Sequence, residues 1–181
     1  MALTRIGPNQ SVNLTSNVTG TLPAANGGTG ATSFSPGKVL QIQATQGINE
    51  FASTSTSFTD VTGVSLTITP AATSSKILLL ANLNTYIDTT SSYVALRWER
   101  AISGGATTNI GHATYGISFA RSAVANDFWS GVGMTYLDTP STTSEITYQL
   151  QGSNAASGGA SFQVSPNNSS SSNIMALEIA G

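Results

Sequence analysis

The sequence predicts an all-β protein, an extended N-terminal arm followed by an antiparallel β-sandwich. Three observations carry that prediction. Apolar and polar residues alternate through most of residues 37–181, and no window shows a convincing helical period. Clusters of Gly, Ser, Asn and Pro interrupt the alternation at short intervals, as turns between short strands do. The composition also changes at Pro36, before which Phe34 is the only aromatic.

Residues 1–36 hold Pro8, Pro23 and Pro36 and the cluster Gly27, Gly28 and Gly30. Val12, Leu14, Val18 and Leu22 all fall at even positions between Asn, Thr and Ser, a period-two pattern that predicts an extended run. Fully stretched, such an arm reaches about 120 Å. Four aliphatic side chains cannot offset the ordering entropy of that length, so an ordered arm requires another chain to hold it.

From residue 37 the strands follow in order. Lys38–Ala44 carries Val39, Leu40 and Ile42, and Phe58–Val61 and Val64–Thr69 come next. Lys76–Ile87 sets Ile77, Leu79, Ala81, Leu83 and Ile87 on one face. Tyr93–Ile102 sets Val94, Leu96, Trp98 and Ile102 together, with Arg97 and Glu99 facing the other way. Thr108–Ala113 and Tyr115–Ala120 are weaker candidates, and Asp127–Asp138 carries Phe128, Val132, Met134 and Tyr136 on its even face. Glu145–Gln151 points Ile146, Tyr148 and Leu150 inward, Ser161–Ser165 adds Phe162 and Val164, and Ile174–Ala180 closes with Met175, Leu177 and Ile179. Ser103-Gly104-Gly105, Ser157-Gly158-Gly159 and Pro166-Asn167-Asn168 are the clearest turn clusters. Eight to ten such strands predict a sandwich or barrel with a core of its own.

The chemistry is mostly defined by absence. Six basic and eight acidic residues leave a net charge of −2 in 181 residues, too few cations for a phosphate-tracking surface, so no nucleic-acid partner is expected. No Cys and a single His, His112, give no thiolate or zinc site, and no metal or other cofactor is expected. His112 with some Ser and some Asp makes no informative triad where Ser is everywhere and no Gly-x-Ser-x-Gly elbow exists. Asp88, Asp127 and Asp138 stand singly at strand ends, where Asp commonly serves turns. Gly27-Gly28-Thr29-Gly30 lacks the lysine and the strand–helix context of a phosphate loop. Arg97, Glu99 and Arg100 form the one local charge group, read as a solvated face or a subunit salt bridge. The expectation is therefore a non-enzymatic protein. The longest purely apolar run is Ile77–Ala81, so no membrane insertion is expected, and the N-terminus lacks the apolar core of a signal peptide. Strands this poorly defended by charge also predict obligate self-assembly.

The string Gly20-Thr21-Leu22-Pro23-Ala24-Ala25-Asn26-Gly27-Gly28-Thr29-Gly30 resembles the GTLP-x-ANGGTG motif of tail-fibre and other virion proteins of tailed bacteriophages. Asn13–Thr19 before it is similar to repeats in their shafts. Ser74–Leu79, Leu96–Arg100 and the closing Asn173–Gly181 resemble, more loosely, the jelly-roll domains that end many phage fibre and decoration proteins. The resemblance implies a jelly-roll head of the tumour-necrosis-factor and complement-C1q shape, a homotrimer, and a location in the virion after synthesis in the host cytoplasm. It implies that residues 1–36 attach to other virion proteins, with Val12, Leu14, Val18, Leu22, Asn26, Gly27, Gly28 and Gly30 as the assembly elements, while the head meets a host-surface glycan or protein. The motif occurs once, which favours a short tail fibre, a fibre-like adaptor or a capsid-decorating head fibre over a long fibre. A carbohydrate-binding adhesin module is the other class, with Tyr86, Tyr93, Tyr115 and Trp129 as the aromatics that could stack on sugars.

Overall fold

The computed structural model describes residues 39–88, 93–122, 128–154, 161–168 and 172–181. The arm residues Val12 to Gly30, together with Asp127 and the Ser157-Gly158-Gly159 turn, lie outside them. The described strands run β1 (Val39–Gln46), β2 (Phe51–Ser53), β3 (Thr59–Ile68), β4 (Lys76–Ile87), β5 (Tyr93–Ile102), β6 (Thr107–Ile110), β7 (Ser118–Arg121), β8 (Phe128–Asp138), β9 (Ile146–Asn154), β10 (Phe162–Val164) and β11 (Asn173–Ile179).

In the first sheet β4 pairs with β8 along its whole length, from Ile77 opposite Asp138 to Ile87 opposite Phe128. Its other edge is shared by β11 and β10, which β1 and β2 flank in turn. In the second sheet β9 lies between β3 and β5, and β6 and β7 share the far edge of β5. Taking β1–β2, β6–β7 and β10–β11 each as one interrupted strand leaves eight. Their order is first, eighth, third, sixth in one sheet and second, seventh, fourth, fifth in the other. That is the jelly-roll connectivity, with every pairing between the described strands antiparallel.

The core lies between the sheets. Ile77, Leu79, Leu83 and Ile87 of β4 meet Val94, Leu96 and Trp98 of β5, Ile146, Tyr148 and Leu150 of β9, and Phe162 and Val164 of β10, all fully buried. Burial of each of the aliphatic side chains contributes roughly 1.5–3 kcal/mol. These residues are the ones whose strict alternation predicted an inward face.

Where the patterning was weaker the structure differs. Phe58–Val61 and Val64–Thr69 form one strand, β3, whose register against β9 slips between Asp60 and Ser65 around Gly63 at φ 78°. Phe51–Ser53 is a strand too short to show a period. The two weak candidates shrink to β6 and β7, and residues 111–117 between them become a loop. In β11 the inward face is Ile174, Ala176 and Glu178, so Met175, Leu177 and Ile179 lie on the outer face. The aliphatics of β1 are likewise exposed, Ile42 at 56%. Asp138 does not serve a turn: it is buried on the inner face of β8.

Candidate ligand-binding surface

The outer face of the second sheet gathers polar and aromatic side chains. Arg97 on β5 stands opposite Gln151 on β9, which stands opposite Asp60 on β3. Arg97 Nε donates to Gln151 Oε1 at 2.9 Å, and the same amide donates through Nε2 to Asp60 Oδ1 at 2.9 Å and Glu99 Oε2 at 3.0 Å. Arg97 and Glu99 therefore meet through Gln151 and form no direct ion pair. The Arg97 guanidinium carbon also sits 4.0 Å from the centre of the Phe58 ring. Partial burial lowers the Arg97 pKa, against the pull of Glu99 in the other direction.

The loop between β6 and β7 shapes the rim of this face. His112 and Gly116 exchange backbone hydrogen bonds at 3.0 Å each, and Ile117 N–H donates to Leu96 O at 2.8 Å, which ties the loop onto β5. Gly116 is required there: its φ is 66°, and a Cβ would collide with the carbonyl oxygen of Leu96. His112 Nδ1 accepts from the backbone N–H of Thr114 at 3.1 Å and of Tyr115 at 3.2 Å, which fixes the ring over the loop. The imidazole lies 5.3 Å from the Tyr115 ring at 18°, nearly parallel. Tyr115 in turn lies 6.0 Å from Tyr93 and 5.8 Å from Phe119. Tyr115 and Phe119 remain 47% and 57% exposed, so the cluster presents ring surface outward. Beside it a cleft of about 370 Å³ is lined by Thr56, Ser57, Phe58, Arg97, Ala113, Thr114 and Ser153.

The other two aromatics singled out in the sequence, Tyr86 and Trp129, are cross-strand neighbours on the outer face of the first sheet, with ring centres 5.1 Å apart. With Gln163 and Asn167 they line a smaller cleft of about 260 Å³. The four aromatics thus form two separate pairs on opposite faces of the sandwich. Sequence alone did not single out Phe119, Phe58 or Ser153, because they join the site only through strand register and loop placement.

Farther along that same outer face, Ile42, Leu177, Leu78 and Leu137 stand in register across β1, β11, β4 and β8. The next row adds Met175 and Leu80. Among the described residues no cluster of three or more His, Asp or Glu is arranged to hold a metal.

Two carboxylates are buried for structural reasons. Glu178 accepts from Gln41 Nε2 at 2.6 Å and from the Ala71 N–H at 2.7 Å. Burial pushes its pKa up, but the hydrogen bonds from Gln41 and Ala71, with the Ser75 hydroxyl nearby, outweigh that and hold it below the ordinary glutamate value. Asp138 accepts from Arg100 and from the Tyr148 hydroxyl, the latter at 2.6 Å. Burial, then the bond and the charge of Asp138, raise the Tyr148 pKa far above the ordinary phenol value.

The sequence matches no protein-family model and no curated protein. Among solved structures, the chain is similar to the VP2 subviral particle of infectious bursal disease virus, at 13% identity and a TM-score of 0.46, covering 78% of this chain and 33% of that one. It is also similar to the structure of the Gt strain of the same virus, at 11% identity and a TM-score of 0.38, covering 94% of this chain and 47% of that one. The chain spans about a third of the length of the first of these.

Proposed function

We infer that the chain is a non-enzymatic structural protein of a bacteriophage virion. In this reading residues 1–36 attach it to the particle and residues 37–181 form a displayed head. The observation that carries the reading is the Gly20–Gly30 string standing directly before a jelly-roll. A short tail fibre or fibre-like adaptor fits the single copy of that string; a capsid-decorating head fibre is the alternative.

Self-association into a homotrimer belongs to the same reading, and the outer face of the first sheet supports it. Six apolar side chains in two adjacent rows across four strands make one contiguous apolar patch, and contiguous apolar surface of this kind marks an interaction site. A second copy of the chain is its occupant. Light scattering of the full-length protein at micromolar concentration should report three chains. Ile42→Asp with Leu137→Asp, two outward positions, should return folded monomers. A monomeric parent protein overturns the assembly. For attachment, Leu14→Asp with Leu22→Asp should leave a folded head that no longer incorporates into particles, and full occupancy in purified virions overturns the role of the arm.

A further inference from the structure

We propose that the cleft on the outer face of the second sheet binds an acidic glycan, taking the carboxylate of a uronic or sialic acid on Arg97 and packing a neighbouring sugar ring on Tyr115 and Phe119. Three observations converge on it. Arg97 is held by one nitrogen on Gln151 and by one face on Phe58, and among the described residues its two terminal nitrogens have no partner. A guanidinium fixed this way offers a planar pair of donors matched to a carboxylate. The nearby carboxylates of Asp60 and Glu99 are both engaged by the Gln151 amide, and neither lines the cleft.

Ser153 supplies the second observation. It is 1% exposed, lines the cleft, and its Oγ has no hydrogen-bond partner among the described residues. A buried hydroxyl left unpaired is costly, and a sugar hydroxyl would satisfy it. Thr56, Ser57 and Thr114 place further hydroxyls around the same space.

The third is the aromatic rim. Ser153 and Phe119 both stand opposite Ala95, on either side of β5, so they lie two strand spacings apart, about 10 Å. That is the reach of a disaccharide. The C–H face of a pyranose packs on the electron-rich face of an exposed tyrosine or phenylalanine ring. The cleft volume of about 370 Å³ is within the range of small-ligand sites.

This assignment deepens the reading of the head as the host-facing part and rests on that reading only for where the glycan comes from. Calorimetric titration of the full-length soluble protein tests it without any particle, so its failure leaves virion incorporation untouched. The probes are tri-galacturonate and 3′-sialyllactose, their neutral counterparts the tri-galacturonate methyl ester and lactose, and hexaglutamate as an acidic chain without rings. At least one acidic sugar should bind at least tenfold more tightly than its neutral counterpart and than hexaglutamate. Arg97→Gln should abolish the preference for acid, with an unchanged melting temperature showing that the head is intact. Tyr115→Ala with Phe119→Ala should weaken the acidic sugar about fivefold while leaving the acid preference. No saturable binding of either acidic sugar, equal binding of hexaglutamate, or an unaltered preference in Arg97→Gln overturns the proposal.

Discussion

Arg100 reaches across the interior of the sandwich from β5 to Asp138 on β8, placing Nη1 2.8 Å and 3.0 Å from the two carboxylate oxygens. The pair joins the two sheets where apolar side chains otherwise meet, and Tyr148 of β9 closes the group. Removing one member strands the others away from water. Asp138→Leu should therefore cost about 3 kcal/mol, and Arg100→Met with Asp138→Leu should regain most of that loss. Urea unfolding of the three proteins checks it, and a double variant as unstable as the single would contradict this account.

Glu178 makes stability depend on acid. Its folded-state pKa lies below its unfolded value, so its contribution is complete above the ordinary glutamate range of about 4.3 and disappears as pH falls through the lower, folded value. Glu178→Gln should lower stability at neutral pH and flatten the loss on acidification. Melting temperatures from pH 7 to pH 3 provide the comparison, and parallel curves for parent and variant would exclude Glu178 as a source.

Gly116→Ala should unseat the loop that carries His112 and Tyr115. The new methyl group cannot coexist with Leu96 O, and the positive φ adds strain of about 1–3 kcal/mol. Near-ultraviolet circular dichroism should lose tyrosine signal from the rim while the band of the buried Trp98 persists. Unchanged tyrosine signal would mean that the loop does not depend on this contact.

Gly152 of β9 leaves room for the ring of Phe162 in the opposite sheet, since a Cβ would lie 2.8 Å from it. Gly152→Ala should cost about 1–3 kcal/mol through overpacking, and Phe162→Leu in the same chain should cost less in that background than alone. Additive losses in the double variant would argue against a shared space.

The two central strands were legible because one face of each is purely apolar. Lys76–Ile87 and Tyr93–Ile102 take the bounds that their alternation indicated. β11 was harder, since Met175, Leu177 and Ile179 form as convincing a stripe as the buried face, and the true inward position is held by Glu178, whose partners Gln41 and Ala71 lie more than a hundred residues away in sequence. A shorter separation, 38 residues, hid the Arg100–Asp138 pair behind an apparent surface charge group. For the candidate site, the sequence named Tyr93 and Tyr115 but could not bring them together, because their contact depends on the turn at Gly116 and on register with Phe119. The arm, with Val12, Leu14, Val18 and Leu22, stays an expectation from pattern and resemblance.

The pairing of β1 with β11 places residue 39 against residue 179, and β3 with β9 places residue 59 against residue 152. The first strands of the head therefore have no in-sheet partner until nearly all the rest of it has left the ribosome. During translation their backbone hydrogen-bonding groups and the aliphatics of β1 remain open to any other strand in the cell. Such nested, long-range pairing slows folding and leaves the nascent chain prone to aggregation. A ribosome-bound chain halted before residue 173 would lack the strand between β1 and β4, and the first sheet could not close however long it waited.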